Sequence, residues 1–207
     1  MTATEQPLNI LFVCTANQAR SPLAEVIAKD QLARRGVTAT VSSAGYRQGG
    51  AQAADGSQKV ARKRGLDLTA HVSRQLTPEL IEAADVIVGM EPGHVLDLAD
   101  LVPGAQSRAL TLKELAAFAQ SQNAAAGAGP LPRLSSDDIR GWVRAAGTRP
   151  LQSLLSGDKT IVDPMGRSTR AFKATAKEID RLLSIVFDSW FGSAVGAVGG
   201  AVGGSGR

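Results

Sequence analysis

Residues 8 to 22 read Leu8-Asn9-Ile10-Leu11-Phe12-Val13-Cys14-Thr15-Ala16-Asn17-Gln18-Ala19-Arg20-Ser21-Pro22. The opening run Leu8–Val13 is short and nearly all apolar, which suits a strand buried on both faces. Ser21-Pro22 opens a helical pattern with Leu23, Ala24, Val26, Ile27, Leu32 and Ala33 on one side. Pro22 suits the first helical position, and Gly36 marks the helix end. The turn between strand and helix is where backbone N–H groups converge on an anion. Cys14 begins that turn and Arg20 closes it, so the amides of Thr15, Ala16, Asn17, Gln18 and Ala19 can circle a tetrahedral phosphate while the guanidinium grips two of its oxygens. A bowl of amides around a thiol favours the thiolate, which is a nucleophile when aimed at phosphorus. A cysteine after a strand is otherwise a small core residue, and the Cys–Arg spacing alone is weak. Asn17 strengthens the anion-loop reading, because asparagine tolerates the left-handed backbone that a tight loop needs.

Working outward, Thr38–Ser43 reads as a second strand that leaves into the loop Gly45–Gly50, and a helix is expected around Asp55–Arg64. Ala84–Gly89 reads as a third strand, Ala109–Leu112 as a shorter fourth, and Arg170–Val186 as a long final helix. Short strands alternating with helices argue for an α/β fold with a parallel sheet flanked by helices. Two segments break the rhythm. Ser121–Gly157 is expected to be an insertion, with an Ala/Gly/Pro stretch at Asn123–Pro132 and a short capped amphipathic helix begun by Ser136-Asp137-Asp138 ahead of Ile139, Trp142 and Val143. Gly192–Arg207 is so rich in glycine that a disordered tail is expected.

The whole chain has 207 residues, 43% of them hydrophobic and 20% charged, which suits one domain with an ordinary core. One cysteine excludes an intrachain disulfide, and with only two histidines a four-ligand Cys/His zinc site is excluded too. The residues ahead of Leu8 lack the pattern of a secretory signal, and no run of about 18 apolar residues suggests a membrane span, so a cytoplasmic protein is expected. The net charge of +4 keeps anionic partners in view. The densest basic run, Lys59, Arg62, Lys63 and Arg64, has no aromatic residue among it to stack on bases, and reads as a solvated helix end rather than a nucleic-acid site.

A thiolate needs a proton donor to expel an alkoxide or phenolate. The candidate is Asp163 in Thr160-Ile161-Val162-Asp163-Pro164-Met165-Gly166, although Asp-Pro is also a common turn initiator. From Leu8 to about Val186 the chain resembles the low-molecular-weight protein tyrosine phosphatase family. The family's loop of Cys, any residue, Gly or Ala, Asn, two of any kind, Arg, Ser, Pro is met at every specified position from Cys14 to Pro22. Ser42-Ser43-Ala44-Gly45, the His-x-x-Arg-Gln segment from His71 to Gln75, Asp85–Met90 and Asp163-Pro164 follow in the family's order.

The resemblance implies a four-stranded parallel sheet with helices on both faces, the phosphotyrosine protein phosphatase I-like fold, over residues 8–190. It implies a phosphomonoesterase needing no metal or cofactor, with Cys14 as nucleophile, Arg20 as phosphoryl clamp and Asp163 as general acid. The loop residues Thr15 to Ala19 and Ser21 would contact the phosphoryl group, with Ser43 and His71 supporting Asn17. The implied partner is a phosphorylated protein, including in bacteria the tyrosine kinases that control polysaccharide export, with no role for nucleic acid or membrane.

The chain also departs from the family. Ala19 stands where many members have a second cysteine, Met165 where an aromatic usually walls the phenyl slot, and Gln18 where the residue is commonly apolar, or threonine in arginine-phosphate-specific relatives. Tyr46 is the candidate for the opposite wall, a satisfied or exposed loop tyrosine being the other reading. Phosphoarginine or a small phosphate ester therefore remains an alternative substrate. An arsenate reductase on the same fold is disfavoured by the lack of relay cysteines. A phospho-ligand binding module is disfavoured because Cys14, Arg20 and Asp163 are all present. Ser156-Gly157-Asp158-Lys159-Thr160 only superficially matches a nucleotide-binding loop, since Asp158 intrudes between glycine and lysine.

Overall fold

The protein is described by a computed structural model over residues 6–126 and 132–192. Strand β1 (Leu8–Cys14) alternates its side chains between two buried faces. Leu8, Ile10, Phe12 and Cys14 enter the larger core, while Leu11 and Val13 enter the smaller one. β2 (Ala39–Gly45), β3 (Val86–Gly89) and β4 (Ala109–Thr111) join it in a four-stranded parallel sheet of order β2-β1-β3-β4. The expected fold is therefore observed.

Parallel strands require crossovers, and helices supply them. α1 (Arg20–Arg34), α2 (Asp55–Lys63), α6 (Leu112–Ala126) and α9 (Thr169–Phe191) bury one face of the sheet through Leu23, Ile27, Val60, Leu115, Ile179 and Val186. The short helices α3 (Pro78–Glu82), α4 (Pro92–Leu96) and α5 (Leu98–Leu101) cover the other through Ile81, Val95 and Leu98.

Several boundaries differ from the sequence reading. α1 starts at Arg20, so Pro22 is its third residue rather than its first; its missing N–H still falls among the helix's unpaired donors. β2 runs on through Ala44-Gly45, and α9 reaches Phe191 with Phe187 and Trp190 buried. α6 was not foreseen because it follows a three-residue strand without a break, and its first turns bury Leu112, Leu115 and Ala116.

The segment Ser121–Gly157, expected as an insertion, is built of packed helices. Ser121–Ala126 completes α6. α7 (Ser136–Gly147) is capped by Ser135, not Ser136, in a reciprocal box with Asp138. Its Ile139 and Val143 are fully buried in the larger core, and Trp142 meets Phe118 edge-on at 4.5 Å and Trp190 at 5.6 Å. α8 (Leu151–Leu155) sends Leu154 into the smaller core. This segment is packed structure, because its apolar stripe has nowhere else to be buried. The glycine-rich tail beyond Gly192 and residues 127–131 of the Ala/Gly/Pro stretch lie outside the described residues.

Strand order places the site. The chain turns from β1 to β2 on one side of the sheet and then crosses back to β3 on the other, so a crevice opens at the carboxyl ends of β1 and β3. Cys14 ends β1, and Met90-Glu91 follows β3.

Candidate active site

The loop between β1 and α1 is held by Asn17. This is the one non-glycine residue with positive φ among the described residues, at 52°, and it is fully buried. Its amide nitrogen donates to Ser21 Oγ at 2.9 Å and to Ser43 Oγ at 2.8 Å, and its Oδ1 accepts from Arg74 N–H at 3.0 Å. Its backbone carbonyl meets His71 Nε2 at 2.8 Å. All four polar directions are used, which holds the strained backbone in place. Ser43 in turn donates to Glu25 Oε2 at 2.6 Å, and Arg74 Nε donates to the Ser43 carbonyl at 2.8 Å. Ser43 and His71 thus stand where the sequence placed them, while Glu25 and Arg74 complete a support that sequence reasoning had not assigned.

Gly45 is the other fixed point. A Cβ there would lie 2.7 Å from Asn17 N, 2.9 Å from Ala16 C and 3.0 Å from Thr15 O. The end of β2 is pressed against the loop backbone, and only glycine fits.

At the centre, Cys14 Sγ lies 3.0 Å from Ser21 Oγ and accepts from Asn17 N–H at 3.3 Å. The Ser21 proton has a second acceptor, the Ala44 carbonyl at 3.4 Å, and the closer sulfur is favoured. Arg20 is buried. Its Nη1 donates to Glu91 Oε2 at 2.6 Å and to the Ile161 carbonyl at 3.3 Å, and its Nη2 to Thr15 Oγ1 at 3.2 Å and Asp163 Oδ2 at 2.8 Å. The structure therefore brings Cys14, Arg20 and Asp163 into one constellation. Asp163 is half-exposed, and its Oδ1 accepts from Met165 N–H at 3.0 Å, which fixes the turn.

Glu91 and His94 escaped the sequence reading. The available signal was their position, since Glu91-Pro92-Gly93-His94 follows β3 at the carboxyl edge of a parallel sheet. His94 is 4% exposed, with Nε2 at 3.1 Å from Thr15 Oγ1 and 3.5 Å from Glu91 Oε1. Among the described residues its Nδ1 has no partner, while Nε2 faces Thr15 Oγ1 and the Glu91 carboxylate, so the neutral ring's proton is assigned to Nε2, where Thr15 Oγ1 accepts it. Burial pushes the imidazole down to about 4, with Arg20 acting the same way and Glu91 and Asp163 opposing. His94 is therefore neutral at neutral pH.

The remaining residues fall as follows. Gln18 is half-buried, and its carbonyl accepts from Ala54 N–H at 2.8 Å. Ala16 is half-buried, and Ala19 is buried in the larger core. Tyr46 donates its hydroxyl to the His94 carbonyl at 2.7 Å and stacks on the His94 ring at 5.9 Å, with its phenol pushed up by burial. It stands as a satisfied loop tyrosine. Met165 is exposed at the edge of the acid turn. The other aspartates in that half of the chain are committed elsewhere: Asp158 to Lys113, Asp137 to Arg140, Asp138 to the α7 cap, Asp180 to Arg64 and Asp188 to Arg35.

Comparison with known proteins agrees with this geometry. The sequence model of the low molecular weight phosphotyrosine protein phosphatase family matches residues 9–128. A protein-arginine-phosphatase of Bacillus subtilis (strain 168) is 34% identical over 108 residues, covering 52% of this chain and 71% of the relative. A putative low molecular weight protein-tyrosine-phosphatase of Klebsiella pneumoniae is 34% identical over 102 residues, covering 49% and 68%. Among solved structures, a YwlE mutant from Bacillus subtilis superposes with a TM-score of 0.63 at 26% identity, over 86% of this chain and 95% of that one.

Proposed function

The chain belongs to the low molecular weight phosphotyrosine protein phosphatase family, and from that premise we propose that Cys14, Arg20 and Asp163 hydrolyse phosphotyrosine in proteins through a phosphocysteine intermediate. The observation that carries the assignment is Cys14 Sγ between the Ser21 hydroxyl and the Asn17 N–H, on the loop that Arg20 closes toward Asp163.

The chemistry follows from these contacts. Ser21 and the Asn17 amide stabilise the thiolate, which attacks phosphorus as the bond to the leaving oxygen breaks. Protonated Asp163 gives its proton to that oxygen. As carboxylate it then takes a proton from water, whose oxygen bonds to phosphorus as the P–S bond breaks, so that the Cys14 thiolate leaves and the phosphoryl group is released as inorganic phosphate. Thr15 Oγ1 accepts from both His94 and Arg20, which leaves its own proton for a phosphoryl oxygen. All four terminal N–H directions of Arg20 are occupied in the free enzyme, so a bound phosphoryl group takes over Nη2 and releases Asp163 toward the leaving group. Glu91 keeps Nη1 in place meanwhile.

A second substrate has specific support. Relatives named protein-arginine-phosphatase are 34% identical over 71% and 32% identical over 89% of their lengths. Phosphoarginine is thus the alternative, and both substrates are phosphorylated proteins. The partner we favour is a cytoplasmic phosphoprotein such as an autophosphorylated tyrosine kinase. Among the described residues, no helix is long and apolar enough to cross a membrane. Turnover of matched phosphotyrosine and phosphoarginine peptides by the wild type and Cys14→Ser tests the proposal. Phosphotyrosine turnover that disappears in Cys14→Ser supports it. Turnover of phosphoarginine alone moves the substrate to the alternative, and wild-type turnover in Cys14→Ser overturns the covalent route.

A further inference from the structure

α2 and α9 leave the site together. The N–H of Ala54, the residue before α2, donates to the Gln18 carbonyl at 2.8 Å, and α9 begins six residues after Asp163. Gly56 lies against Phe172, since a Cβ there would come within 2.4 Å of that ring, and further along Arg64 pairs with Asp180 at 2.5 Å. Residue numbers rise in step, so the helices run side by side in the same direction, away from the phosphate loop.

The groove between them is lined by Val60, Lys63, Arg64, Thr169, Lys173 and Lys177. Lys173 and Lys177 are four apart and share a face of α9 with Arg170. Among the described residues, Lys63, Lys173 and Lys177 make no hydrogen bond or ion pair, and all three are exposed. Other helix cations are matched, Lys29 by Glu25, Arg34 by Asp30 and Arg35 by Asp188, whereas Arg170 on the same face of α9 has no ion pair among the described residues. The nearest acids on α9 are already taken, Glu178 by Lys113 and Asp180 by Arg64 and Gln31. The groove therefore holds positive charge on exposed lysines whose apolar stems lie along its walls, which suits a flexible anionic chain. No aromatic side chain lines it to stack on bases, which disfavours nucleic acid.

We infer that this groove is an exosite for an acidic segment of the phosphoprotein substrate, an inference that rests on the phosphatase reading above. With ~1.5 Å rise per helical residue, Val60 and Lys63 lie ~9–13 Å along α2 from Ala54. An extended peptide advances ~3.3 Å per residue, so acidic residues three to six positions from the phosphoresidue reach the lysines.

The test uses the full-length wild type and the triple variant Lys63→Glu/Lys173→Glu/Lys177→Glu. Two phosphotyrosine peptides are compared, one with glutamates and one with glutamines at positions three to six on both sides. At low salt the wild type should turn over the acidic peptide with about tenfold higher kcat/KM, a preference that shrinks as salt screens the charges. The triple variant should lose the preference while its turnover of 4-nitrophenyl phosphate stays unchanged. Equal kcat/KM for both peptides in the wild type, or a preference that survives in the variant, overturns the exosite. Lysine-dependent binding of a single-stranded oligonucleotide without peptide discrimination also overturns it, in favour of nucleic acid. Absent turnover of 4-nitrophenyl phosphate in the wild type is a failure of the phosphatase reading instead. Fluorescence anisotropy with the unphosphorylated acidic peptide then judges the groove alone: binding about tenfold weaker in the variant supports it, and equal binding overturns it.

Discussion

Arg20 Nη2 and Asp163 Oδ2 are 2.8 Å apart, so the phosphoryl clamp and the general acid of the proposed mechanism occupy each other when no substrate is bound. The guanidinium side of this pair is buried and the carboxylate side is half-exposed. Arg20 stays in place through Glu91 and the Ile161 carbonyl when Asp163 lets go.

Replacing Asp163 with Asn separates these roles. A nitrophenolate leaves with little protonation, whereas a phenolate with a pKa of about 10 needs a proton in the transition state. Asp163→Asn should slow phenyl phosphate by about 10²-fold or more and 4-nitrophenyl phosphate far less. Inorganic phosphate should bind no more weakly, because its competitor for Nη2 has lost its charge. Stopped-flow rates and inhibition constants check both. Equal slowing of the two esters reduces Asp163 to a turn residue.

A second prediction concerns Gly45, where an added methyl meets the backbone of Thr15, Ala16 and Asn17 at 2.7–3.0 Å. None of these is a side-chain end that can swing away, so the loop itself must shift. Gly45→Ala should cost ~1–3 kcal/mol of stability and at least ~10²-fold in kcat/KM. Gly36→Ala serves as the control. Its φ is +61° with no atom within 4 Å of the added Cβ, so it should cost ~1 kcal/mol and leave turnover intact. Urea denaturation and steady-state kinetics on both variants decide the matter.

The legible parts of this molecule were those fixed by local chemistry. The double-sided burial of β1, the left-handed Asn17 and the meeting of Cys14 with Ser21 follow from residues close in sequence. The joining of Arg20 to Asp163, across 143 positions, came from resemblance rather than from any local pattern. Glu91 and His94 were missed because a carboxylate and an imidazole after a short strand carry no periodicity; only the strand order gives them meaning. Within Ser121–Gly157 the capped amphipathic helix was legible from its local pattern, while the contacts that make it core, such as Trp142 against Phe118 and Trp190, are long-range.

The network around Glu114 gives a third prediction. Its nearly buried carboxylate accepts from Arg149 Nε at 2.9 Å, Lys159 Nζ at 3.0 Å and Thr111 N–H at 3.0 Å. Burial raises this carboxyl, yet Thr111, Lys159 and Arg149 together hold it below the usual range. The lysine that looked like part of a nucleotide-binding loop is thus a structural ion pair, four residues ahead of Asp163. Glu114→Gln leaves two cations facing a neutral amide, and should cost ~3–5 kcal/mol. A urea midpoint unchanged from wild type would show the network to be idle.

The last prediction follows from His94, whose folded pKa near 4 lies below the unfolded value of about 6.5. Between those two values the unfolded chain binds a proton that the folded chain refuses, so stability rises with pH across this window. At neutral pH the folded state carries no penalty from His94. On acidification the loss begins near pH 6.5 and saturates near pH 4, reaching up to about 3 kcal/mol. Carboxylates held low in the fold, such as Asp85 and Glu114, begin to add their own losses only as the unfolded carboxyls protonate, so the interval from about pH 6.5 to 5.5 isolates the imidazole. His94→Gln keeps a donor for Thr15 and cannot take up a proton. It should lower stability at pH 7 through the lost stack on Tyr46, yet show a flatter slope between those pH values than wild type. Parallel slopes in urea denaturation series would mean that His94 is protonated as readily in the folded state as in the unfolded chain, against its burial between Thr15, Glu91 and Tyr46.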